Sequence, residues 1–332
     1  MVISGIFFNF TGMKNFHLPA LAFIILVLVA GFSFPDVPSE IQTRAALGKK
    51  LFSEKILSRD SSVSCASCHK PAFAFSDTVA FSAGIEGRYT KRNTPSVLNM
   101  KNRPYYFWDG RAGSLEEQAL KPIQNPDEMG LPIDEAVARL NQSPVYKSLF
   151  RKIFKQDPNE KNLGAAFAAY ENTLETVDSK FDDWSNNLRN LTASEERGRE
   201  LFVSDRSKCF DCHFREDFTD DDFKNIGLFN GKDLNDSGRF LITRELGDLG
   251  KFKTPGLRNI AVTAPYMHDG RFKTLEEVIE YYNNPAKLVP DAVNTDPALT
   301  QPLNFTAQEK KDLIAFLKTL TDKKYLPAKK VN

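Results

Sequence analysis

The chain has 332 residues, with 44 Lys and Arg against 43 Asp and Glu, a formal net charge of +1 and 41% hydrophobic residues. This is an ordinary globular composition, sized for about two domains. No basic face points to nucleic acid, and all 4 cysteines fall inside two Cys-x-x-Cys-His motifs, leaving none for a disulfide or a separate metal site.

Taken in chain order, the first feature is the uncharged stretch 15–35. Within it, Leu18–Phe34 is a dense apolar run just after Lys14. Residues 1–34 therefore read as a secretory signal, with Met13 offering a conventional start and cleavage near Gly31 to Phe34. The alternative is an uncleaved membrane anchor, for which the run is only just too short. His17 lies inside this segment and serves no mature cofactor.

A helical stretch "ALGKKLF" (Ala46–Phe52) then feeds "CASCH", Cys65–His69. "ERGRELF" (Glu196–Phe202) feeds "CFDCH", Cys209–His213. Two cysteines followed at once by a histidine form the pattern of a haem held by two thioethers, with His69 and His213 as proximal ligands. A dithiol or zinc site would leave the histidine unexplained both times. Such attachment follows export, so motif and leader agree on a periplasmic protein, membrane-anchored if the leader stays.

"WDGRAGSLEEQA" (Trp108–Ala119) aligns with "HDGRFKTLEEVI" (His268–Ile279) at an offset of 160, since 268 − 108 = 160. Ser114-x-x-Glu117 and Thr274-x-x-Glu277 have the form of capping boxes, so each Asp-Gly-Arg turn starts a helix. Further helical patterns cover Ala165–Val177 and Lys310–Leu320, the second capped by Thr306 and Glu309. Another box, Thr192 with Glu195, opens the second half. The expected architecture is mainly α: two cytochrome c-like haem domains in tandem, 38–190 and 191–332, with long loops around Asp217–Gly250. The acidic run Glu216–Asp222 reads as a solvated loop.

The repeat also compares the far sides of the two irons. Tyr282 stands 13 residues after Asp269, and the same step from Asp109 reaches Pro122. If these helices pass over the haems, the first iron faces a proline and is open, while the second faces a phenol. An open haem beside a proton donor is what peroxide chemistry requires, one group moving a proton between the oxygens as their bond breaks. Gln118 and Glu128 are the candidates near Pro122. On the second iron, Met267, His268 and an open site rival Tyr282.

Together with the two haem motifs, "FWDGRAGSLEEQALKPIQNPDEMG" and "FKTPGLRNIAVTAPYMHDG" resemble the bacterial di-haem cytochrome c peroxidase family, which includes MauG-type enzymes. The resemblance covers nearly all of residues 40–322. It implies a peroxidatic first haem, supplied with electrons by the second across Trp108. It also implies Glu128 as acid–base group, Gln118 in the distal pocket, and hydrogen peroxide as substrate. A small cytochrome c or cupredoxin would be the donor. A calcium ion would sit between the domains on Asn93 and the carbonyls of Thr263 and Pro265, an all-oxygen set of the kind calcium takes.

Two departures from the family pattern stand out. Many members carry a histidine in the loop after the first motif that holds the first iron until the second haem is reduced. Here that loop reads "FSAGIEGRY", and no histidine lies between His69 and His213, which implies activity without prior reduction. Where the peroxidases place a methionine over the second iron, this chain has Tyr282, as MauG-type members do; an anionic phenolate favours ferric and higher states. Two rival readings follow: a MauG-type oxidase modifying a protein or small molecule, and a plain electron carrier. Homodimer formation is left open.

Overall fold

The computed structural model describes residues 40–326, so the expected leader, 1–34 with His17, lies outside the described residues. Among those described, no helix is long and apolar enough to cross a membrane. All belong to one compact unit, Ser39–Asn332. The first half contributes helices α1 (Arg44–Phe52), α2 (Cys65–Cys68), α3 (Leu115–Gln124), α4 (Ile133–Gln142), α5 (Pro144–Phe154) and α6 (Glu160–Glu171). After these come α7 (Lys180–Ser185), before the boundary, and then the helices of the second half, α8 (Ala193–Phe202), α9 (Phe240–Thr243), α10 (Leu275–Asn283), α11 (Pro285–Leu288) and α12 (Ala307–Thr319). Two short antiparallel strands, β1 (Phe223–Lys224) and β2 (Phe252–Lys253), pair with Phe223 opposite Lys253.

Each half is organised by one helix crossing, α1 on α6 and α8 on α12. The crossings explain the glycine of each Gly-x-x-Leu-Phe stretch. A Cβ on Gly48 would lie 1.9 Å from the Ala166 carbonyl oxygen, and one on Gly198 1.9 Å from that of Asp312. Only glycine permits that approach. The phenylalanine closing each stretch then meets a ring across the crossing: Phe52 on Tyr170 at 5.3 Å, Phe202 on Phe316 at 5.2 Å. Leu47, Leu51, Phe167 and Leu313 are fully buried around these pairs.

The capping signals fold as reciprocal boxes at Thr192, Thr274 and Thr306. At Ser114 the box is incomplete: its hydroxyl accepts from Glu117 N, but the Glu117 carboxylate accepts from Gly113 N at 2.9 Å instead of closing on Ser114. The helix expected over Ala165–Val177 is displaced. It starts earlier, at an Asn159–Asn162 box, and stops at Glu171. Beyond that, Asn99 captures the chain, donating its backbone N–H to Leu174 O at 2.8 Å and accepting from Thr176 N and Oγ1.

The acidic run Glu216–Asp222 is not simply solvated, which corrects the expectation. Asp221 is 4% exposed. Arg103 bridges Asp217 and Asp221, Arg258 Nε reaches Asp217 at 2.8 Å, and Lys253 pairs with Asp221. These cations come from both halves, so the run ties the halves together; Glu216 and Asp222 alone face solvent.

Candidate functional site

The first haem motif is one helical turn and the second a hydrogen-bonded turn. Ser64 and Ser67 cap α2 reciprocally, and His69 N donates to Cys65 O at 2.9 Å; His213 N donates to Cys209 O at the same distance. The imidazoles are anchored alike, His69 Nδ1 to Phe75 O at 3.1 Å and His213 Nδ1 to Phe218 O at 2.8 Å. A carbonyl can only accept, so Nδ1 carries the proton and Nε2 is left for a metal. Burial lowers both pKa values, keeping the rings in the neutral, ligating form.

Cys65, Cys68 and His69 line one cavity together with Phe52, Gln118, Pro122 and Glu128. Helix α3 supplies Gln118 and Pro122 one turn apart, on the same face. The loop expected to lack a ligand folds back on this cavity and presents Ala83 and Gly84, with Ile85 N bonded to Glu128 O at 2.9 Å. Glu128 is oriented by Asn125, whose Nδ2 donates to Oε1 at 2.6 Å. Burial outweighs this bond and the nearby Arg111, and raises the Glu128 pKa above the usual carboxylate range. Among the lining residues not singled out in the sequence are Met129 and Glu171.

Cys209, Cys212 and His213 line a second cavity with Tyr282, Val278, Leu313 and Leu317. Tyr281 turns away and donates its hydroxyl to Ile226 O, a packing role. Tyr282 makes an edge contact with the Tyr281 ring at 5.6 Å, its hydroxyl has no hydrogen bond among the described residues, and burial raises its pKa. Met267 and His268 line the same cavity. Met267 also packs in the cluster of Leu228, Tyr281 and Val289. His268 stacks on Phe252 at 3.7 Å, its pKa pushed down to about 4 by burial.

Trp108 lies at the junction. Its Nε1 donates to Asn93 O at 2.8 Å, it lines the second cavity, and the neighbouring Thr94 lines both. Two backbone bonds cross the halves here: Asn93 N to His268 O and Lys253 N to Trp108 O, each 2.7 Å. Asn93, Thr263 and Pro265 all line the second cavity, and the Asn93 amide donates to Val79 O and Ala80 O. Among the described residues no cluster of His, Cys, Asp or Glu forms a further metal site.

In each cavity the two thiols and an anchored imidazole with a free Nε2 share one largely apolar wall, the donor set of a c-type haem. Comparison with known proteins agrees. Residues 42–190 match the family model described as di-haem cytochrome c peroxidase. The chain is 39% identical to methylamine utilization protein MauG of Methylorubrum extorquens over 83% of its own length and 78% of that protein's. It is 35% identical to cytochrome c551 peroxidase of Nitrosomonas europaea, over 86% and 82%. A crystal structure of a MauG-like protein associated with microbial copper homeostasis superposes with a TM-score of 0.77 at 34% identity, covering 89% of this chain and 93% of that one. With two haem-binding donor sets in two cytochrome c-like halves, and this identity along most of its length, the chain belongs to the di-haem cytochrome c peroxidase family, a family of oxidoreductases carrying two c-type haems.

Proposed function

We propose that the protein is an exported peroxidase that reduces hydrogen peroxide to water with electrons from a small cytochrome c or cupredoxin, and that it needs no prior reduction. The observation carrying this reading is the first cavity, whose single histidine shares its lining with Pro122, Ala83 and Gly84 and with Gln118 and Glu128. When bound there, a haem supplies the redox centre that meets peroxide. Glu128, with its raised pKa and its Asn125 anchor, takes a proton from one peroxide oxygen and returns it to the other. Gln118 orients the oxygens through its amide. Cys65, Cys68 and His69 hold the first haem, Cys209, Cys212 and His213 the second, in domains 38–190 and 191–332. Trp108 carries electrons between them. Tyr282 is the group proposed over the second haem, and Asn93 with the carbonyls of Thr263 and Pro265 the calcium site.

A second reading, a MauG-type oxidase that withdraws electrons from a protein or small-molecule substrate, is favoured by Tyr282 in the second cavity and by the MauG relatives. A third, an electron carrier, draws on Met129 in the first cavity and Met267 in the second.

The test is to add one equivalent of peroxide to the purified diferric protein, never reduced beforehand, and then reduced cytochrome c. A fast change in the haem spectrum that cytochrome reverses supports the peroxidase. A change indifferent to cytochrome supports the oxidase, and no change the carrier or a reductively activated enzyme.

A further inference from the structure

Gln118 and Glu128 account for part of the polar lining of the first cavity, but not for Glu171. This residue ends α6, is 5% exposed, and lines the cavity beside Cys65 and Glu128. Its Oε2 has no hydrogen-bond partner among the described residues. A buried carboxylate so placed is costly unless neutral or paired. The groups facing it are Glu116 of α3, Tyr106 before α3, Cys65 of α2 and its own neighbour Tyr170; none is a cation.

The second half shows that the scaffold does not need an acid here. The Cβ positions of Gly48 and Gly198 meet Ala166 with Tyr170, and Asp312 with Phe316, respectively. Both pairs are 146 residues apart (312 − 166 and 316 − 170), and the same step carries Glu171 to Leu317. Leu317 lines the second cavity. A leucine thus satisfies the packing at this place, and the carboxyl of the first half calls for a chemical reason.

We propose that Glu171 is a second proton-holding acid of the first cavity, neutral in the resting protein, supplying one of the two protons that peroxide reduction consumes. The role rests on the peroxidase reading. In that reaction the O–O bond breaks, two electrons arrive from the donor protein, and two protons complete two waters. Glu128 relocates a proton between the oxygens, while Glu171 gives up its own and is recharged from solvent. Burial raises its pKa to about 8, so the acid is protonated at neutral pH and its contribution is lost as pH rises through about 8.

The experiment uses the haem-loaded protein and two readouts. Infrared difference spectra between acidic and alkaline buffer should show the carbonyl stretch of a protonated carboxylic acid disappearing with a midpoint near 8. The band should be present in the wild type and in Glu128→Gln, and absent in Glu171→Gln. Peroxide turnover with reduced cytochrome c should fall several-fold in Glu171→Gln and Glu171→Leu, and lose its alkaline limb. Persistence of the band in Glu171→Gln, or a wild-type pH profile in Glu171→Leu, overturns the proposal alone. A wild-type protein inert to peroxide overturns the peroxidase reading, and the proton delivery with it.

Discussion

The two cavities are built on one plan and finished differently. Thr94-Pro95 and Thr254-Pro255, Asn99 and Asn259, Tyr106 and Tyr266, Asp109-x-Arg111 and Asp269-x-Arg271 all recur 160 residues apart. They also behave alike. Both asparagines are buried with positive φ, 56° and 62°, and both tyrosine hydroxyls donate six residues back, to Met100 O and Ile260 O. At the same offset Gln118 becomes Val278 and Pro122 becomes Tyr282, and across the helix crossing Glu171 becomes Leu317. The residues that build the shell repeat, and those that touch the contents diverge. The first cavity gains polar groups and a side chain unable to ligate, while the second gains apolar walls and a phenol.

The largest effect should come from Glu128→Gln, which breaks the asymmetry at its chemical centre. Peroxide turnover should fall about 10²–10⁴-fold, with haem content unchanged, and an undiminished rate would remove Glu128 from the mechanism. Tyr282→Met alters the other cavity: the midpoint potential of the second haem should rise by on the order of a tenth of a volt or more, while the first haem keeps its optical spectrum. Potentiometry decides, and a shift confined to the first haem would exclude Tyr282 as the second haem's partner.

The shared shell predicts equal costs. Gly48→Ala and Gly198→Ala should each destabilise by about 1–3 kcal/mol, because both force the same crossing apart; denaturant midpoints differing strongly between the two would break the equivalence. The smallest effects separate the two capping turns. Thr274→Ala loses a reciprocal box and should cost about 0.5–2 kcal/mol. Ser114→Ala should cost less, since Glu117 already serves Gly113. Thermal melting would rank them.

Much of this could be read from the chain. The motifs, the glycine and phenylalanine of each helix, and the step from Asp-Gly-Arg to Pro122 and Tyr282 are local or periodic signals, and helices carry such signals in nearest neighbours. The Thr-Pro and asparagine repeats stand at the same offset as Asp-Gly-Arg. Other features were out of reach. The burial of Asp217 and Asp221 depends on Arg103, Lys253 and Arg258 arriving from distant loops. The early stop of α6 depends on Asn99, more than seventy residues away. Nothing in the sequence sets Glu171 apart from other helical carboxylates, because its solitude is a property of the cavity and not of its neighbours in sequence.

The two backbone bonds at the junction have a further consequence. Asn93 and Lys253 are counterparts 160 residues apart, and so are Trp108 and His268, yet Asn93 bonds to His268 and Lys253 to Trp108. Contacts in which i meets j and j meets i are the mark of two copies facing each other across a two-fold axis. The two halves of the chain therefore meet here as two copies in a dimer would. An indole and an imidazole occupy these twin places, so the pairing is symmetrical in its backbone bonds and not in its side chains.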